Sequence, residues 1–313
     1  MGDMKLLLLG LLASGCAAQT PFRVDVHLVN VGFSVRDQAG RMVDGLGQDE
    51  FEVMEDGVPQ KIAFFARSTD VALNLGLVVD VSGSQEPFVR THQKDLKVFL
   101  DSFLTPRDHA FLVCFARHPR LVAAYTPSSK RLMETLDAYL SARTPAEFPV
   151  LGPKEIRVGG TAFFDAVYHS VNQMFRDAEP GRRALVIFSD GEDNTSAHHE
   201  LDAIEIAQAN DVLLFAIRYT DVRGGRWDSR NKYGRSVMER LAADTGGAVF
   251  DAAKKSMAEH FKEIGEQLRS SYELGYHSTN PANDDTFHKV TIRVKRPGLT
   301  VRARTGYYAR SGN

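Results

Sequence analysis

The sequence predicts an α/β protein: a doubly wound, mostly parallel sheet with helices on both faces, plus a small β-sandwich that the N- and C-terminal flanks build together. Three observations predict it. Between residues 73 and 250, apolar strand-like runs alternate with stretches of helical period, as in a parallel sheet with crossover helices. On either side, 22–65 and 272–308 lack that period and alternate apolar and polar residues at period two. A hydrophobic fraction of 43% over 313 residues is that of a globular chain with a sizeable core.

The first segment stands outside both units. Lys5 precedes the apolar run 6–13, and small residues follow through Ala18, so 1–18 reads as a secretory signal peptide. The run is too short to cross a bilayer. Asp3 opposes the positive opening of such a segment, whereas Met4-Lys5 supplies it, which favours Met4 over Met1 as the start. Leu6 stands where N-myristoylation at Gly2 needs Ser or Thr. Cys16 follows Ala13-Ser14-Gly15, which resembles a bacterial lipobox with Ala13 in place of the more usual Leu. Lipidation at Cys16 and plain cleavage near Ala17 or Ala18 stand as equal alternatives. Both place the protein outside the cytoplasm, as a periplasmic, secreted or lipid-anchored chain.

The first half of the sandwich is expected over 22–68, where Asp56-Gly57 separates 51–53 from 58–65 as a hairpin turn. The α/β unit follows over 72–270. Its strands are expected at 73–79, 110–115, 121–124, 184–188, 212–217 and 248–250, mostly continuous apolar runs suited to burial on both faces. Its helices are expected at 88–103, 129–140, 162–175, 201–209, 235–243 and 257–268; in the first, Leu96, Phe99, Leu100 and Phe103 form one apolar stripe. The longest loops fall at 141–159 and 219–234, and the second carries the only tryptophan, Trp227, a candidate interaction anchor or a packed residue. The second half of the sandwich is expected over 271–309. There Val290, Ile292 and Val294 alternate with Lys289, Thr291, Arg293 and Lys295, and after a Pro297-Gly298 turn Leu299, Val301 and Ala303 return. Neither flank alone has enough strands for a stable sandwich, so the two are expected to pair, with separate β extensions as the alternative.

Lys plus Arg number 38 against 40 Asp plus Glu, a balance that gives no reason to expect a nucleic acid partner. Cys114 is the one thiol left after the signal segment, so no intrachain disulfide can form, and its apolar surroundings read as a buried strand.

Two short segments carry the chemistry. Asp80-Val81-Ser82-Gly83-Ser84 follows an apolar strand, and so does Ser189-Asp190-Gly191. Ligands of open α/β sheets bind at the carboxyl ends of such strands. Gly83 is expected to let the first turn close tightly, and Gly159-Gly160 to bring Thr161 in at the start of a helix. Asp80, Ser82, Ser84, Thr161 and Asp190 then offer carboxylate and hydroxyl oxygens without nitrogen or sulfur, the ligand set of a hard divalent cation. The plainer reading is a set of strand-end caps and turns.

These residues resemble the von Willebrand factor type A (VWA) domain, whose metal-ion-dependent adhesion site (MIDAS) has the pattern Asp-x-Ser-x-Ser, then Thr, then Asp. The likeness covers about 72–270, and the stretches Gly160 to Ala166 and Ser189 to Gly191 match its surrounding motifs. With the flanks, the chain is similar to the VWFA-related family of exported bacterial proteins named for the Acidobacteria, through Glu55 to Gln60, Arg296 to Leu299 and Gly306 to Tyr308. The resemblance implies Mg2+, with Mn2+ or Ca2+ as alternatives, held directly by Ser82, Ser84 and sometimes Thr161, and by Asp80 and Asp190 often through water. It also implies an open position for an Asp or Glu carboxylate of a partner protein, and no enzymatic activity.

A metal-dependent hydrolase or phosphoryl-transfer enzyme is the competing class, against which stand the lack of a Gly-x-Ser-x-Gly elbow or P-loop and Ser82 where a second Asp would be needed. A structural envelope protein with a fold-stabilising metal is the third. Other signals read plainly. Asp165 is expected to support the helix or the ligands, Glu192, Asp193 and Asn194 to form a solvated turn, and His198 and His199 to be surface residues without zinc spacing. Lys289, Arg293, Lys295, Arg302 and Arg304 are read as the charged outer face of a C-terminal hairpin.

Overall fold

The computed structural model describes residues 28–69, 71–141, 147–153, 159–176, 178–220, 229–280 and 286–309. The expected signal segment, Cys16 and Trp227 lie outside these residues. The first flank supplies β1 (Leu28–Arg36), β2 (Phe51–Glu55), β3 (Val58–Gln60) and β4 (Ile62–Thr69). The centre runs β5 (Leu73–Asp80), α1 (Val89–Phe103), β6 (His109–Phe115), β7 (Pro119–Thr126), α2 (Ser129–Ser141), α3 (Phe163–His169) and β8 (Arg182–Ser189). It continues through α4 (Glu200–Ala209), β9 (Val212–Arg218), α5 (Ser229–Thr245), β10 (Ala248–Asp251) and α6 (Met257–Arg269). The second flank adds β11 (Ser270–His277), β12 (Phe287–Val294), β13 (Thr300–Ala303) and β14 (Gly306–Tyr308).

The central sheet has the order β10-β9-β8-β5-β6-β7. β5 and β9 are buried at every position, as expected of largely apolar strands covered on both faces. One face carries α1, α2 and α6, with Leu96, Phe99 and Leu100 of α1, Leu132 and Leu136 of α2, and Phe261 and Ile264 of α6 in a common apolar cluster. The other face carries α3, α4 and α5 through Phe163, Val167, Ile204, Val237 and Leu241. Cys114 is buried within β6, where burial pushes its thiol pKa up.

β7 runs antiparallel to β6. Residues 116–118 are too few to hold a crossover helix, so the chain can only turn back. Two segments read as loops carry structure. α5 already starts at Ser229, and the backbone of Pro149 and Leu151 bonds to Leu121 and Pro119 beside β7. The helix that starts at Phe163 widens into a π turn over Ser170–Met174.

The flanks form two four-stranded antiparallel sheets, β13-β1-β11-β4 and β14-β12-β2-β3. Each contains strands from both ends of the chain. Val31 and Phe33 of β1, Phe51 and Val53 of β2, Tyr272 and Leu274 of β11, and Val290 and Ile292 of β12 close one core between them. Phe33, Phe51 and Tyr272 pack ring to ring with centroids 5.0–5.4 Å apart.

Two pairings differ from the sequence expectation. The run 58–65 is divided: β3 pairs with β2, and after Lys61 the chain crosses to pair with β11. Pro59 cannot donate to a ladder, so its stretch suits an edge strand, which β3 is. Likewise β12 and β13 do not form a hairpin. β12 pairs with β2 and β14, while β13 pairs with β1 in the other sheet. Lys295 N–H bonds to Glu50 O at 2.8 Å and Arg296 pairs with Glu50, so 295–299 turns a corner between sheets. The five basic residues therefore share no single face. Arg304 points inward, donating to Gln208 O at 2.6 Å and Asn30 O at 2.7 Å and pairing with Asp211, which ties the antiparallel sheets to the central unit.

Candidate metal centre

β5 and β8 are parallel neighbours with Val79 opposite Phe188, so Asp80 and Ser189 arrive side by side at the carboxyl edge of the sheet. The Asp80 carboxylate is fully buried. Its Oδ1 accepts the Ser82 N–H at 2.9 Å, and its Oδ2 accepts the Ser189 hydroxyl at 2.6 Å. The Ser82 and Ser84 hydroxyl oxygens lie 3.2 Å apart, Ser82 buried and Ser84 open to solvent. Gly83 has ordinary φ and nothing within 4 Å of where a Cβ would be, so the tight turn expected of it is instead made by the short 3-10 stretch Gly83–Phe88.

That stretch places a residue the sequence reading missed. Gln85, buried, donates to Asp190 Oδ2 at 2.8 Å and to Tyr219 O at 3.3 Å, joining the first loop to the second. Asp190 is 4% exposed, and its Oδ1 accepts the Glu192 N–H at 3.0 Å.

Thr161 comes from a third loop. Gly159 and Gly160 have φ of +80° and +89°, and a Cβ on Gly160 would meet Thr195 Cγ2 at 2.0 Å. The Thr161 N–H donates to Asn194 Oδ1 at 2.8 Å, and its carbonyl accepts the Asn194 and Thr195 N–H groups at 3.1 and 3.3 Å. Asp193 Oδ1 accepts the N–H groups of Phe163 and Phe164 at 2.8 and 3.3 Å, at the start of α3. The segment after Asp190 is thus a clamp on the Thr161 loop, more than the solvated turn its composition indicates. These partners lie 29–33 residues away in the chain, and no local pattern announces them.

Asp165 serves the same clamp from the helix side, accepting the N–H groups of Ala197 and His198 and facing His198 Nδ1 at 2.7 Å. His198 is therefore not a free surface side chain: it is 26% exposed and stacks on Tyr168. His199 is exposed.

Electrostatics mark the centre. Asp80 and Asp190 are both buried, and no described basic side chain forms an ion pair with either. Burial first, and then the Asp190 charge, pushes the Asp80 carboxyl from its ordinary 3.8 up to about 7. Two buried carboxylates that repel each other, the Ser82 and Ser84 hydroxyls beside Asp80 and the lack of a basic partner among the described residues fit the needs of a hard divalent cation, for which Thr161 offers a further hydroxyl.

No family model matches the sequence, and no curated protein matches it. Among solved structures, the protein is similar to conserved hypothetical protein BatB from Bacteroides thetaiotaomicron, with 17% identity, a TM-score of 0.46, and 62% of this chain and 98% of that one covered. It is also similar to von Willebrand factor type A from Catenulispora acidiphila, with 13% identity, a TM-score of 0.46, and 92% and 75% covered. A third is proximal thread matrix protein 1 from the mussel byssus, solved with a zinc-occupied MIDAS motif, with 12% identity, a TM-score of 0.48, and 69% and 50% covered. These overlaps are partial, and the functional reading rests on the residues of the site.

Proposed function

We propose that the protein is an exported, non-enzymatic VWA-type module in which Asp80, Ser82, Ser84, Thr161 and Asp190 hold a divalent cation, Mg2+ foremost with Mn2+ or Ca2+ as alternatives, to capture a partner protein through an Asp or Glu carboxylate. The observation that carries the reading is the buried Asp80–Asp190 pair, which has no basic partner among the described residues, set at the sheet edge beside the exposed Ser84.

The chain's own groups divide the work. Ser189 and the Ser82 N–H fix the Asp80 carboxylate, and Gln85 and the Glu192 N–H fix Asp190, so neither has to be ordered when an ion arrives. Asn194 and Asp193 hold the Thr161 loop against the same edge. A bound cation supplies an electrophilic position for an incoming carboxylate, which gains a charge-assisted contact there. Export rests on the 1–18 pattern, and membrane attachment on lipidation at Cys16; no helix among the described residues is long and apolar enough to cross a membrane.

The test is capture from an envelope extract on immobilised protein, with Mg2+ and with chelator, against an Asp190→Ala control. A partner retained in Mg2+, released by chelator and absent from the control supports the reading. Chelator-insensitive capture, or turnover of phosphoester or ester substrates that needs Mg2+, opposes it.

A further inference from the structure

Asp165 and His169 stand one turn apart on α3, so both side chains occupy one face of the helix. His198 reaches that face from the loop that follows Asp190. One ligand atom from each of the three, a carboxylate oxygen and two ring nitrogens, lies within 4.8 Å of the others. We infer a second metal site here, formed by Asp165, His169 and His198 and suited to Zn2+ or a similar borderline cation, separate from the all-oxygen centre.

The geometry needs little adjustment. Zinc bonds of about 2.0–2.2 Å to nitrogen and oxygen in a tetrahedron put ligand atoms about 3.4 Å apart. Asp165 Oδ1 and His198 Nδ1 are 2.7 Å apart as a hydrogen-bonded pair and have only to separate slightly. The ligands are held in place before any ion binds. The Ala197 and His198 N–H groups fix the Asp165 carboxylate, and Tyr168 stacks on the His198 ring with centroids 3.7 Å apart and planes 17° apart. The His169 and His198 rings are nearly perpendicular, 86°, with centroids 5.0 Å apart, so the two approach a shared point from different directions. His169 is buried with Gly152 packed over its ring: a Cβ there would lie 2.3 Å from Nε2. Asp165 is buried and His198 is 26% exposed, which leaves one side open for entry and for a fourth ligand.

Ligand type separates the two centres. Imidazole with one carboxylate suits Zn2+, whereas carboxylate and hydroxyl oxygens suit Mg2+. Occupancy would fasten α3 to the loop carrying Asp193 and Asn194, the clamp on Thr161.

The experiment titrates Zn2+, with Mg2+ held in excess, into untagged full-length protein and its His169→Gln, His198→Asn and Asp80→Ala variants, and records the visible spectrum with Co2+. One Zn2+ per chain is expected. Loss of a supporting outer contact already costs tenfold to a hundredfold in metal affinity, so each histidine variant should lose at least about a hundredfold, with Asp80→Ala unchanged. Co2+ should give the intense visible absorption of a four-coordinate site. Zinc uptake that disappears in Asp80→Ala, or persists in both histidine variants, overturns the proposal and leaves a plain Asp165–His198 hydrogen bond. If a histidine variant fails to fold, the wild-type Co2+ spectrum decides: a weak six-coordinate spectrum, or none, overturns it.

Discussion

Ser189 donates its hydroxyl hydrogen to Asp80 Oδ2 at 2.6 Å, linking neighbouring strands across 109 residues of chain. The Ser189 hydroxyl oxygen in turn accepts the Gly191 N–H at 3.0 Å, so one side chain orients both halves of the proposed site. Ser189→Ala is expected to cost about 1.5–3 kcal/mol, the range for a hydrogen bond to a charged group. The lost bond favours the ionised carboxylate, so Asp80 should hold its proton to higher pH and Mg2+ affinity should fall more at pH 7 than at pH 9. Urea unfolding and Mg2+ titrations at the two pH values check this; an equal affinity loss at both would show that Ser189 acts only on packing.

Asp80→Asn is expected to stabilise the metal-free protein. With its pKa raised from the ordinary 3.8 to about 7, the folded state binds more protons than the unfolded state between those values. Stability is then lost as pH rises from about 4 to 7, by something on the order of 4 kcal/mol. In chelator at pH 8 the variant should melt higher than wild type, and Mg2+ should raise the wild-type Tm while leaving the variant unmoved. A lower Tm for the variant in chelator would mean the carboxylate is not a source of repulsion.

His92 gives an opposite dependence. It lies 1% exposed on α1 against Phe88, Phe188 and Tyr219, and burial takes its pKa from the ordinary 6.5 down to about 4. The unfolded chain therefore takes up the proton first. Its contribution is complete above about 6.5 and is lost as pH falls toward 4, by up to about 3 kcal/mol. His92→Leu should flatten the acid limb of stability measured by urea unfolding between pH 4.5 and 7; an unchanged limb would place the acid sensitivity elsewhere.

Much of the fold was legible because it depends on local period. The buried strands β5, β6, β8 and β9 are predominantly apolar runs, and the Leu96 to Phe103 stripe faces the sheet. What was not legible depends on partners distant in sequence. Val58 to Gln60 and Ile62 to Phe65 look like one strand, yet they join different sheets because β2 and β11 claim them separately. The five candidate ligands stand out by residue type, whereas Gln85, Asp193 and Asn194 act through contacts up to 134 residues away and look like ordinary polar turn residues. His198 likewise reads as a surface residue until α3 places Asp165 beneath it.

The interleaving of the flanks predicts a specific failure. β1 and β4 meet only through β11, and β2 is flanked by β12. Deleting 272–313 removes most of β11 and all of β12, so 28–65 should become sensitive to limited proteolysis while the central unit remains resistant. Continued protection of 28–65 in the truncated protein would contradict the shared core.

Calorimetric titration of Mg2+ into wild type, Asp80→Ala and Asp190→Ala, each shown to be folded by circular dichroism, tests the central claim most directly. One saturable site in wild type and its loss or marked weakening in both variants is the predicted result. Mg2+ affinity unchanged in both folded variants would contradict the assignment of the metal centre to the carboxyl edge of β5 and β8.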